Sequence, residues 1–170
     1  MVEGLCGITQ RSDHDPPPWS DQLALDVYTD ASDLGMGGFM FPEWFSTPYV
    51  ASMAYARAYS INWREMLVAV TALATWGPRM VGRNVYFHID NQSVVFGLRK
   101  HYSPRPHMMS LIRSWCLMLV QYNVNVRIVY IQTDVNIDAD DLSRLHVTSF
   151  QERNPGALPT PTWPTPPHVN

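Results

Sequence analysis

The chain has 170 residues, 46% of them hydrophobic and 16% charged, with a formal net charge of −3. That length and apolar content suit one domain with a real hydrophobic core and exclude a disordered chain. The mildly acidic balance argues against an autonomous nucleic-acid binder, whose affinity rests largely on Lys and Arg, although a cluster of cation-binding acids would itself lower the sum. The two cysteines, Cys6 and Cys116, form neither a disulfide framework nor a zinc pattern. They fit a reducing, intracellular compartment. The first residues lack a basic start followed by an apolar run, so no secretory signal is expected. No stretch approaches the ~20 apolar residues that span a membrane.

Residues 1–22 are polar, contain Pro16-Pro17-Pro18-Trp19, and read as a linker or arm. The domain proper is expected over 23–150. Leu23–Thr29 is a strand candidate, and Gly35–Phe41 its hairpin partner across a turn at Asp33-Leu34. A third short strand is placed near Tyr49–Met53. The strongest helix signal follows: Asn62 as cap, Glu65 at the third position, Met66, Val70 and Leu73 as one buried stripe, and Gly77-Pro78 as the stop. Asn84–Ile89 reads as a strand, Gln92–Leu98 as a short helix, and Pro106–Tyr122 as a longer one. Asn125–Ile131 is another strand, and Asp138–Leu145 a closing helix. Trp63, Trp76 and Trp115 fall on apolar helix faces and read as core. Residues 151–170 are proline-rich and are expected to be a disordered tail, either a plain linker or a proline-rich ligand.

An antiparallel opening followed by β-α-β crossovers implies an α/β fold, a mixed five-stranded sheet with helices on both faces. Ligands in such sheets gather at the carboxyl ends of parallel strands. The first strand leads into Asp30 and the strand Asn84–Ile89 into Asp90. If those strands are parallel neighbours, the two carboxylates leave the same end of the sheet. Glu65 and Asp140 each lie in the first turn of a helix. Four acids from four elements would then converge, and bare carboxylates that close repel one another unless a hard divalent cation, Mg²⁺ or Mn²⁺, sits among them. A pair of such ions suits phosphodiester hydrolysis without a side-chain nucleophile. Each acid also has a plainer reading. Asp30 suits a turn, Glu65 a capping box with Asn62, Asp90 a loop, and Asp140 the dipole of the last helix. Their joint placement is what favours a site.

Four segments carry a family resemblance: Tyr28-Thr29-Asp30-Ala31-Ser32 with Gly35-Met36-Gly37-Gly38; Asn62-Trp63-Arg64-Glu65-Met66-Leu67-Val68-Ala69; His88-Ile89-Asp90-Asn91-Gln92-Ser93-Val94; and Asn136-Ile137-Asp138-Ala139-Asp140-Asp141-Leu142-Ser143-Arg144. In that order they resemble the ribonuclease H domains of retrotransposon polyproteins, in which such a domain follows a reverse transcriptase. The closing segment is the most specific. The resemblance implies the ribonuclease H fold and cleavage of the RNA strand of RNA–DNA hybrids. It implies two Mg²⁺ or Mn²⁺ ions on Asp30, Glu65, Asp90 and Asp140, with Asp141 as the alternative fourth ligand. It also implies an associated reverse transcriptase module. Ser32, Asn91 and Gln92 fall where that family contacts the hybrid. Arg99, Lys100 and Arg105, in the most basic stretch of the chain, are either phosphate contacts or a solvated loop. Two departures stand out. Tyr130 replaces a histidine that many relatives carry ten residues before the last acid, and there is no room for a basic insert between Leu98 and His107. Two competing readings follow. One is a catalytically degenerate or domesticated module that binds nucleic acid or protein without cutting. The other is a transposase or integrase on the same fold.

Overall fold

The computed structural model describes residues 20–49 and 51–167. The expected arm therefore falls almost wholly outside the described residues. The chain runs β1 (Leu25–Ala31), β2 (Gly35–Met40), β3 (Glu43–Pro48), α1 (Ile61–Met80), β4 (Asn84–Ile89), α2 (Gln92–Lys100), α3 (Pro106–Gln121), β5 (Asn125–Tyr130), α4 (Ile137–Ser143) and α5 (Val147–Arg153). Short 3-10 turns cover Asp21–Leu23 and Ala51–Ala58. The five strands form one mixed sheet in the order β3-β2-β1-β4-β5. β1, β2 and β3 are antiparallel neighbours, whereas β1–β4 and β4–β5 are parallel.

Side chains alternate across a strand, so β1 has two characters. Val27, Thr29 and Ala31 are buried among the helices α1 and α3, together with Phe87, Ile89, Trp76 and Trp115. Asp26, Tyr28 and Asp30 take the other face. There α4 and α5 seal only the β1–β3 half, through a smaller cluster of Phe39, Trp44, Leu142 and Phe150. α1 lies between the sheet and α3 and is buried along most of its length. A helix so placed needs an apolar surface nearly all round, which Met66–Val70 supplies. Among the described residues no helix is long and apolar enough to cross a membrane.

Three local expectations are corrected. The third strand is Glu43–Pro48, not Tyr49–Met53: Trp44 and Phe45 pair with Phe39 and Gly38, and the chain beyond Pro48 turns into a 3-10 segment. α1 begins two residues earlier than expected, with Ser60 as its cap; the Trp63 and Arg64 N–H groups donate to the Ser60 carbonyl at 3.0 and 3.1 Å. Nor does Gly77-Pro78 stop α1, which continues to Met80. Gly77 serves packing instead, since a Cβ there would sit 2.3 Å from ring carbons of Tyr122.

The tail expected to be disordered is seated on the domain through residue 167. The Leu158 and Thr162 N–H groups donate to the carbonyls of Pro42 and Trp44 at 2.8 and 2.7 Å, and the Trp44 indole N–H donates to Leu158 at 2.7 Å. Further on, the Thr165 N–H reaches Thr75 Oγ1 at 2.9 Å. Proline lacks a donor but keeps its carbonyl and an extended backbone. A chain of this composition can therefore run along the edge of a sheet, using its few non-proline N–H groups.

Candidate active site

Parallel pairing of β1 with β4 sets Tyr28 opposite His88. Extending that register by two residues brings Asp30, near the end of β1, beside Asp90, just past the end of β4. Glu65 comes from the first turns of α1, which packs against β1. One carboxylate oxygen from each of Asp30, Glu65 and Asp90 lies within 4.8 Å of the others. These three acids floor a cleft of about 360 Å³ whose walls include Ser32, Asp33, Arg64, Thr133, Asp140 and Arg144.

Electrostatics set this cluster apart. Asp30 and Glu65 are each only 5% exposed. Burial, with the charge of Asp90 and the other acids, pushes Asp30 up to about 6, against an opposing pull from the Ser143 hydroxyl. Burial and the charges of Asp30 and Asp90 raise Glu65 well above the usual carboxylate range, while the Ala31 backbone and Arg64 oppose. The buried Glu65 Oε2 has no hydrogen-bond partner. A native interior seldom leaves a buried carboxylate oxygen unmatched. Three oxygen ligands with one such orphan suit a hard divalent cation, which would take the lone pair and relieve the repulsion.

α4 supplies the fourth acid, and its seat is built from small contacts. A Cβ on Gly37 would fall 2.4 Å from the Ser143 nitrogen and 2.5 Å from the Ala139 carbonyl, so the helix rests directly on the backbone of β2. Buried Asn136 donates to the Thr29 carbonyl at 3.1 Å. Ser32 and Ser46 donate to the Ser143 and Leu142 carbonyls at 2.8 and 2.6 Å, which satisfies orphan acceptors at the helix end. Asp140 thereby lines the cleft but stands outside the close cluster of three. Both of its carboxylate oxygens accept from Arg144 Nε, at 2.8 and 2.9 Å. Asp141, the alternative fourth ligand, turns toward α5, where Arg153 and His146 contact its carboxylate.

Glu65 does not sit in a capping box. With Ser60 as the cap, Asn62 lies inside α1, and its side-chain oxygen accepts from Asn91 Nδ2 at 2.9 Å. Asn91 in turn caps α2, accepting from the Val94 N–H at 3.2 Å. The other expected contacts scatter. Ser32 lines the cleft, but its hydroxyl also accepts from the Leu34 and Gly35 N–H groups, making it a turn and anchor residue. Exposed Gln92 and Arg105 line a neighbouring groove with Asn62, Phe96 and Tyr102. Arg99 points the other way, with Nε and Nη2 donating to the Ile128 carbonyl at 2.9 and 2.5 Å on β5. Lys100 is exposed at the far end of α2. Tyr130 pairs with Ile89 across β4–β5 and is 41% exposed. Among the described residues no histidine lines the cleft. His88 bonds Asp26 at 2.8 Å and stacks on Tyr28, and His146 faces Asp141.

Sequence reasoning missed the role of Arg64, which is 8% exposed. Its Nη1 donates to the Ser32 carbonyl at 2.8 Å and to Asp33 Oδ1 at 2.9 Å, clamping the turn that follows Asp30. Its place one residue before Glu65, in a helix otherwise apolar on that side, was the available signal.

No family model matches the chain, and no curated protein matches it. Among solved structures, the chain is similar to LC11-RNase H1, isolated from compost by a metagenomic approach. The TM-score is 0.57 and the identity 18%, covering 74% of this chain and 96% of that one. At such low identity the likeness concerns the fold. The mixed five-stranded sheet with its five helices is the ribonuclease H fold.

Proposed function

We propose that the protein is a metal-dependent ribonuclease H-type endonuclease that hydrolyses the RNA strand of RNA–DNA hybrids. In this reading it works beside a reverse transcriptase module during retrotransposition. The observation that carries the reading is the close trio of buried Asp30 and Glu65 with half-buried Asp90, Glu65 Oε2 being unpartnered. The similar solved structure is of an RNase H1, and the four sequence segments point the same way.

Asp30, Glu65 and Asp90 would hold one Mg²⁺ or Mn²⁺, and Asp140 would contribute to a second position. Two such ions supply activation of water and charge neutralisation at the phosphoryl oxygens. The chain's own residues fix the frame. Arg64 holds the turn after Asp30, α1 keeps Glu65 dry, and the seat of α4 on Gly37 sets the height of Asp140. Hydrolysis adds water across the bond between phosphorus and the ribose 3′-oxygen, leaving a 5′-phosphate and a 3′-hydroxyl. Selection of a hybrid would rest on groove shape and 2′-hydroxyls, not on base identity. Gln92 and Arg105 stand on the groove beside the cleft, where one strand would pass. With a net charge of −3 the isolated domain should bind its substrate weakly, so that a polymerase module does most of the holding.

The test is cleavage of an end-labelled hybrid at low salt with Mg²⁺, Mn²⁺ or EDTA, beside Glu65→Gln and a DNA-only duplex. Metal-dependent cutting of the RNA strand, lost by at least about 10³-fold in the variant, is expected. A folded wild-type chain that binds the hybrid without cutting under any of these conditions would instead establish the non-cleaving module.

A further inference from the structure

The pairing of Asp140 with Arg144 goes beyond the acid site itself. Both oxygens of the fourth carboxylate are engaged by one guanidinium nitrogen, at 2.8 and 2.9 Å. An Asp–Arg pair at this helical spacing is ordinary on a solvated face. Here both partners line the cleft with Asp30, Glu65 and Asp90. Among the described residues the cleft has one other cation, Arg64, which is buried and committed to the turn after Asp30. Arg144 differs: its side chain is 51% exposed, and only Nε has a partner among the described residues, so its terminal nitrogens are available. A guanidinium whose fork is free suits a phosphate.

Resting on the reading above, we propose that Arg144 is a positioning residue that latches Asp140 and exchanges it for a substrate phosphate. In the metal-free protein the latch occupies the carboxylate that a second cation would need. A backbone phosphate entering the cleft offers the guanidinium an alternative partner and releases Asp140. The first cation position, on Asp30, Glu65 and Asp90, is independent of the latch, while the second is coupled to substrate. Such an arrangement would discourage loading of both ions without a nucleic-acid strand in place.

The experiment is Mn²⁺ titration of the full chain, with free ion followed by electron paramagnetic resonance. Wild type is compared with Arg144→Ala, Arg144→Lys and Asp30→Asn. A second arm measures binding of a 2′-O-methyl RNA–DNA hybrid, which is not cleaved, by fluorescence anisotropy in EDTA. In wild type one ion is expected to bind more tightly than the other. Arg144→Ala should tighten the weaker ion by about fivefold, the upper size of a half-exposed ion pair, and leave the tighter one within about twofold. Lys, a compact charge without the fork, should fall between. The hybrid should bind less tightly to Arg144→Ala, with a salt slope shallower by about one phosphate contact. A weaker ion unchanged or loosened in Arg144→Ala would overturn the latch, as would hybrid binding equal to wild type. Absence of any Mn²⁺ binding that Asp30→Asn removes would instead overturn the metal-site reading, and the latch with it.

Discussion

The two most buried acids of the cleft carry a cost that the metal-free protein must bear alone. Asp30 is raised from 3.8 to about 6, chiefly by burial and then by Asp90 and Asp140. Glu65 is raised as well, again chiefly by burial. In the unfolded chain both have ordinary values. As pH climbs between the unfolded and folded values, the unfolded state has released protons that the folded state still holds, so stability falls. A rise of about two units on one group corresponds to about 3 kcal/mol lost by neutral pH. Thermal melts in EDTA should therefore show wild type losing stability from about pH 4 to about pH 7. Asp30→Asn, which cannot ionise there, should flatten that decline and melt higher than wild type at neutral pH. Added Mg²⁺ should restore wild type and leave the variant unmoved. Parallel pH profiles for the two proteins would contradict the assignment of strain to Asp30.

At the scale of elements, the seat of α4 decides whether the fourth acid reaches the cleft. Gly37 lets the helix lie against β2, with Ser143 and Ala139 backbone atoms where a Cβ would be. Gly37→Ala must push α4 outward or bend β2, at a cost of about 1–3 kcal/mol as overpacking. Asp140 moves with its helix, whereas Asp30, Glu65 and Asp90 belong to β1, α1 and the end of β4. The variant is thus expected to lose hybrid cleavage by at least about tenfold while keeping tight binding of one Mn²⁺; equal loss of both would show that the helix seat does not act through Asp140 alone. This division also separates what was legible in the sequence from what was not. β4 was readable at both ends because its period-two burial is interrupted by turn residues, and Asp30 and Asp90 followed from the rule that parallel strands present ligands at their carboxyl ends. The third strand was placed too late in the chain, near Tyr49–Met53, because the pairing of Glu43–Pro48 with β2 across the turn at Phe41-Pro42 is a tertiary fact. Gly77 read as a stop because nothing local reveals that the Tyr122 ring lies against it. The partners of Arg64, Asn136 and Arg144 were likewise hidden. Where a long polar side chain turns depends on which carbonyls and carboxylates the tertiary fold brings within reach.

Over the whole molecule, the C-terminal segment changes the status of the sheet's outer edge. β3 is an edge strand, and an uncovered edge invites pairing with another chain. Here the Pro42 and Trp44 carbonyls are taken by Leu158 and Thr162, and the Trp44 indole, 2% exposed, by Leu158. Ending the chain after Asn154 would remove the two backbone hydrogen bonds to the sheet edge, orphan a buried indole N–H and uncover part of the cluster around Trp44 and Phe150. At about 1 kcal/mol for each bond, and somewhat more for the indole, the loss should be about 3 kcal/mol. For a domain of this size that lowers the melting temperature by about 6–12 °C. Asp30 and Asp90 sit two strands away on β1 and beyond it on β4, Glu65 is on α1, and Asp140 is held by the seat of α4 on Gly37, so cleavage per folded monomer in the cold should change by less than about twofold. Light scattering coupled to size exclusion should find dimers or larger species in the shortened chain at concentrations where the 170-residue chain is monomeric, because the Pro42 and Trp44 carbonyls lose the N–H groups that cover them. A shortened chain that melts with the 170-residue chain and stays monomeric would mean that the proline-rich segment lies on the edge without holding it.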